Sequence, residues 1–320
     1  MKGRWWTVFL FLWGTLAVPA PCALAVSVGD PVAIMTEIKP GQGEVRVKPA
    51  AEAAWQAPLP LLSLRPGDQI RTTGNGTAVL MFTGGRGTVT ISATNSPYTV
   101  QDPPAGATQG KIQELIAHLG QLLMGKKKDL TYTPVIVRRV KQPVLLLSPR
   151  DGRLLGPPVL EWAGSDRLRY SVRLFSPQGL IWQQDNLHRA PLSYPATAPP
   201  LSSGLLYHWE LETTGFPAQR GQFTILSPTE VAAVRGILTA LGPASLPGYP
   251  KNTIILMRAG FLMEQELYAE AQQELQEAIA GDPGEPSLHL MLGNVYERIG
   301  LGDLAIEEFD EAQFLTSRVP

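Results

Sequence analysis

The stretch at residues 64–91, LRPGDQIRTTGNGTAVLMFTGGRGTVTI, has the residue types of a phosphate-cradling loop. Glycines let a backbone wrap an anion, provided the loop runs from a strand into a helix. The spacing excludes both common versions. A dinucleotide fingerprint needs Gly-x-Gly-x-x-Gly, yet Val79 follows Gly74 and Gly76 where the third glycine belongs. A nucleotide P-loop needs Gly-Lys-Ser/Thr, and no lysine lies between Lys48 and Lys111. The runs beside the glycines, at residues 77–82 and 88–91, are short, β-branched and apolar, which predicts strands. Asn75-Gly76, Gly84-Gly85 and Pro66-Gly67-Asp68 then read as turns between strands.

Other chemistry-bearing residues are too scattered to form a motif. The four histidines, His118, His188, His208 and His289, share no helix turn, and there is no His-Glu-x-x-His, no Gly-x-Ser-x-Gly and no Asp-x-Asp-x-Asp loop. Cys22 is the only cysteine, so no disulfide framework or thiolate metal site is expected. The expectation is a protein that is not an enzyme, with no catalytic residues, no cofactor and no metal. A formal net charge of −1 gives no overall attraction to nucleic acid, and none is expected as a partner.

The 320 residues that must position these groups allow two or three domains, with 29 prolines and 31 glycines to supply turns and linkers. Residues 1–25 read as a signal peptide. Lys2 and Arg4 precede an apolar run at residues 5–18, and Ala23-Leu24-Ala25 presents small residues at a cleavage spacing. An uncleaved anchor is the rival reading. No later run approaches the roughly 20 apolar residues of a membrane span, so a periplasmic or secreted protein is expected, without a transmembrane segment once the leader is removed.

Residues 26–102 form the first expected domain, all-β. Residues 103–143 are expected to be a linker holding an amphipathic helix, in which Ile112, Leu115, Ile116, Leu119, Leu122 and Leu123 recur at helical spacing. Behind that helix, Lys126, Lys127, Lys128, Arg138, Arg139 and Lys141 oppose one acid, a candidate contact for an anionic surface or merely a solvated connector. Residues 144–226 alternate with period two. Leu168, Tyr170, Val172 and Leu174 share one face, and Arg167, Arg169, Ser171 and Arg173 the other. Leu205, Tyr207, Trp209 and Leu211 likewise oppose His208, Glu210 and Glu212. A β-sandwich is expected, in which the arginine and glutamate rows can meet as cross-strand pairs.

Residues 227–320 are expected to be helical. Ser227-Pro228-Thr229-Glu230 has the form of a capping box and predicts a helix to about Leu241. A period of 34 residues follows. Ala259 maps to Gly293, Leu262 to Tyr296, Leu267 to Leu301, Ala271 to Ala305, Leu275 to Phe309 and Ala278 to Ala312. Small and large residues recur in this way when helix pairs nest against one another. The fold class is therefore multidomain β plus α, with an N-terminal all-β domain, a central β-sandwich and C-terminal helical hairpins.

Three resemblances sharpen these readings. Gly43-Glu-Val-Arg-Val47, Leu64-x-x-Gly-Asp-x-Ile-x-Thr72 and Gly76-x-x-x-Leu-x-Phe-x-x-Gly-Arg86 resemble a FecR-type domain, which implies an all-β fold placed in the periplasm or outside the cell. In the regulators that name that family the domain relays a signal through a membrane span. No such span is read here, so the resemblance implies the fold and not the role. The middle segment resembles a fibronectin type III or immunoglobulin-like module by pattern alone. Residues 252–285 and 286–319 resemble two tetratricopeptide repeats. Leu292-Gly293-x-x-Tyr296 matches closely, whereas Arg258-Ala259 departs from the family's Leu-Gly pair. That resemblance implies a concave groove for peptide segments, on which Asn294, Glu297 and Arg298 are the candidate contacts. The expected function is an exported scaffold or adaptor of the bacterial cell envelope that holds a protein partner. The alternatives are a carbohydrate- or peptidoglycan-binding envelope module and a periplasmic component of a signalling relay.

Overall fold

A computed structural model describes residues 30–101, 111–124 and 144–317 of the chain. The expected leader and the basic stretch holding Lys126, Lys127, Lys128, Arg138 and Arg139 lie outside the described residues, as does residue range 102–110.

The first module has strands β1 (Ala33–Lys39), β2 (Val45–Lys48), β3 (Ser63–Leu64), β4 (Gln69–Thr72), β5 (Thr77–Phe82), β6 (Thr88–Ile91) and β7 (Tyr98–Thr99). They form two sheets, ordered β3-β1-β5-β6 and β2-β4-β7, all pairs antiparallel. Their inner faces enclose one core, with Met35, Ile38, Val47, Ile70, Leu80 and Ile91 among its members. The glycines are turns, as expected, although one turn sits a residue earlier than the sequence suggested. Gly74, at φ 58°, takes the left-handed conformation rather than Gly76, and Gly67 and Gly85 do so in the other two turns.

β1 carries a β-bulge between Met35 and Glu37. Without it, side chains would simply alternate. The extra residue lets Thr36 and Glu37 both face away from the strand core, while Ala33, Met35 and Ile38 still point into it. β1 is accordingly buried on both faces from Ala33 through Ile38.

Helix α1 (Lys111–Met124) spans the residues whose apolar spacing predicted it. The second module follows with β8 (Val144–Ser148), β9 (Arg153–Leu154), β10 (Val159–Gly164), β11 (Tyr170–Ser176), β12 (Gly179–Leu187), β13 (Leu192–Ser193), β14 (Leu206–Thr213) and β15 (Phe216–Ile225). Sheets ordered β13-β10-β8 and β12-β11-β14-β15-β9 close over Trp209, Tyr170 and Phe223. Trp209 Nε1 donates to the Pro149 carbonyl at 2.6 Å, which satisfies the one polar atom that this large side chain buries. The two charged rows do meet, diagonally: Arg173 donates to Glu212 at 2.6 Å.

Five helices end the chain: α2 (Pro228–Ala240), α3 (Lys251–Glu264), α4 (Tyr268–Gly281), α5 (Pro286–Arg298) and α6 (Gly302–Ser317). The Ser227–Glu230 capping box is formed in both directions. The 34-residue period appears as hairpins α3–α4 and α5–α6. Gly293 is buried where α5 nests against α6, and an added Cβ there would stand 2.6 Å from Phe309 Cδ1 and 3.1 Å from the Ala305 carbonyl oxygen.

Candidate functional site

Helices α3 and α5, the first of each hairpin, line the inner side of the array. An amphipathic surface helix buries one stripe, but α3 buries ten of its fourteen residues, among them Asn252, Thr253 and Gly260. Two layers cover it. Behind lies α4, and in front lie β1 and α1 of the chain itself, in one continuous apolar cluster. Ile34, Met81, Ile116, Leu119 and Leu123 share that cluster with Leu256, Leu262, Leu288 and Leu292. The groove that the resemblance implied is thus covered by the chain itself, by α1 over α3 and by β1 against both α3 and α5.

The centre of this contact is polar. Thr253 donates through its backbone N–H and its hydroxyl to Glu37 Oε1, at 3.3 and 3.2 Å. The Thr253 and Thr36 hydroxyls share a further hydrogen bond at 2.8 Å, and Thr36 also has the Val79 carbonyl as an acceptor at 3.4 Å. Glu285, with no exposed surface, accepts from the Ile38 N–H through both oxygens at 3.2 Å, and from the Ser287 N–H at 3.2 Å. Burial, with the Glu37 charge adding to it, pushes the Glu285 carboxyl up to about 8. At the edge, Lys39 bridges Asp282 at 2.8 Å and Glu37 at 3.7 Å. These carboxylates look like a solvated acidic face in sequence. The available signals were a glutamate inside the apolar run AIMTEIK and another between Gly284 and Pro286 at the repeat boundary.

Beyond α1 the inner face is not filled. A cleft of about 250 Å³ is lined by Leu122 and Leu123 of α1, by Gly260, Met263 and Glu264 of α3, and by Glu266, Tyr268 and Arg298. Its floor is apolar and its rim charged. His118 Nε2 and Glu264 Oε1 meet at 2.9 Å beside it. The second β module closes the neighbourhood. The Arg153 N–H donates to the Glu266 carbonyl at 2.8 Å, and Arg150 Nε donates to the Ile299 carbonyl at 3.0 Å. Gly152, at φ 98°, is needed here because a Cβ would stand 2.8 Å from Tyr268 Cδ2. Burial, then the Glu266 charge, raises the Tyr268 phenol, so it stays protonated and able to donate.

Of the three candidate groove residues, Arg298 lines the cleft. Asn294 is half-buried and Glu297 exposed on the same helix, outside its lining. The resemblance named Arg298 among its candidates but not Tyr268, Glu264 or Glu266, which reach the cleft only because α1 closes its far side. Among the described residues, no group of three or more His, Cys, Asp or Glu is placed to hold a metal ion, and no helix is long and apolar enough to cross a membrane. No protein-family model matches the chain, and no curated protein matches it significantly.

Proposed function

We propose that the chain is an exported, non-enzymatic scaffold or adaptor of the bacterial cell envelope. In this reading the first β module is FecR-like, the second fibronectin-like, and the α3–α6 hairpins are two tetratricopeptide repeats that hold a protein partner. The observation that carries it is the cleft beside Arg298, an apolar floor with a charged rim at the junction of α1, α3 and α5. Such a site takes an apolar side chain of a peptide segment and fixes its direction through a few polar groups. Because α1 covers α3 and β1 lies against both α3 and α5, the partner segment is short and enters from the Arg298 end, rather than lying along an open trough.

The test is site-specific photo-crosslinking in the full chain, with the probe at position 298 and, as a control, at Arg235 on the exposed side of α2. A partner captured at 298 but not at 235, and no longer bound by the Arg298→Glu variant, supports the reading. A partner bound equally well by Arg298→Glu would remove the cleft from the account.

A further inference from the structure

The outward face of the β2-β4-β7 sheet, on the side of the first module away from the helices, carries cations that folding does not explain. β2 and β4 alternate, with Val45, Val47, Ile70 and Thr72 buried and Arg46, Lys48, Gln69 and Arg71 facing out. The register sets Arg46 directly opposite Arg71, and Lys48 opposite Gln69. Like charges directly opposite on paired strands are destabilising. Arg46 has a counter-charge, since its Nε donates to Glu44 at 3.0 Å. Among the described residues Lys48 and Arg71 have no carboxylate within ion-pair distance. Both instead lie over the indole of Trp55, with Lys48 Nζ 5.9 Å and Arg71 Cζ 4.8 Å from the ring centroid. A bridge between Val47 and Gln56 anchors the chain beside that tryptophan. Of the other acids nearby, Glu52 accepts from Gln56 Nε2 at 3.0 Å, and Asp68 accepts from the Ala50 and Arg65 N–H groups at 2.9 and 2.8 Å. A cation over an indole is held in place but keeps its charge.

We propose that this face binds an acidic polysaccharide. Arg71 and Lys48 pair with carboxylates along the sugar chain, the guanidinium as a fork and the ammonium as a point charge. Trp55 sets their separation and lends apolar surface to a sugar ring. Surfaces that hold single-stranded nucleic acid stack successive bases on several rings. This face presents one ring, because Tyr98 of β7 packs into the core.

The experiment measures binding of the full chain to a uronic acid polymer, to neutral dextran, to single-stranded DNA and to polyphosphate, across a salt series. The expected result is salt-sensitive binding to the uronic acid polymer and none to dextran. Arg71→Thr with Lys48→Thr should weaken binding about tenfold or more, the scale on which 1.4 kcal/mol is one decade. The double variant should melt within a few degrees of the parent, because relief of the Arg46–Arg71 pair offsets the lost contacts with Trp55, so lost binding is not lost folding. Equal binding to dextran, unchanged binding by the double variant, or tighter binding to DNA or polyphosphate than to the uronic acid polymer would each overturn the proposal.

Discussion

Replacing Glu285 with glutamine should make the protein more stable at alkaline pH and change little at acid pH. The side chain is fully buried between β1 and the start of α5, and accepts the N–H groups of Ile38 and Ser287. The groups facing it are Glu37 and Lys39 from β1 and Asp282 from the end of α4. Its carboxyl stands at about 8, against an ordinary value of 4.5. A folded pKa above the unfolded one means that the native state holds the proton more tightly. The associated stability is fully present below pH 4.5 and is lost as pH rises toward 8. At 1.36 kcal/mol per unit, the loss over that window is about 5 kcal/mol, of which about 3 has gone by neutrality. The substituted amide would stay neutral, its carbonyl accepting the same two N–H groups and its NH2 facing Glu37.

Thermal and urea unfolding at pH 5, 7 and 9 should therefore show the Glu285→Gln variant within about 1 kcal/mol of the parent at pH 5 and several kcal/mol more stable at pH 9. Amide exchange at Ile38 and Thr253 should follow the same divergence, because these N–H groups donate to the two glutamates. Parallel profiles of parent and variant across the range would refute the reasoning. So would a variant that is weaker at every pH, since that is the behaviour of an ionised, well-paired carboxylate.

Gly293→Val should destabilise the helical hairpins by about 2–3 kcal/mol in urea unfolding, because overpacking would drive a side chain against Phe309 and the Ala305 backbone. Gly152→Ala should speed amide exchange at Arg153. The new Cβ, on a left-handed backbone, would separate the Arg153 N–H from its Glu266 acceptor. His289→Ala should cost more stability at pH 5.5 than at pH 8.5. Burial disfavours the His289 cation, but the Glu308 hydrogen bond at 2.7 Å and the Pro283 carbonyl outweigh it and raise the pKa. That stability is present below about 6.5 and is lost as pH climbs through the raised value.

Local order in this protein was legible because local rules govern it. The capping box placed the start of α2, the apolar spacing placed α1, and the 34-residue period announced two successive helical hairpins. The site was legible only in part. Arg298 follows from its place on α5, but Tyr268 and Glu264 join it only when α1 packs across α3, and no spacing within either helix states that contact. The covering of α3 did leave a trace. Asn252 through Met263 is apolar nearly all round, and an element with no polar face needs a neighbour on each side. What two apolar surfaces alone leave loose is register. The bulge at Thr36 supplies it, turning two consecutive polar side chains onto Thr253 while Ile38 meets Glu285. A slip of one residue would cost Thr36, Glu37, Thr253 and Glu285 their bonds across this contact, at roughly 1–3 kcal/mol for each group left unsatisfied. The polar cluster therefore pins the first β module against α3 and the start of α5, and leaves uncovered the cleft beside Arg298 with its charged rim.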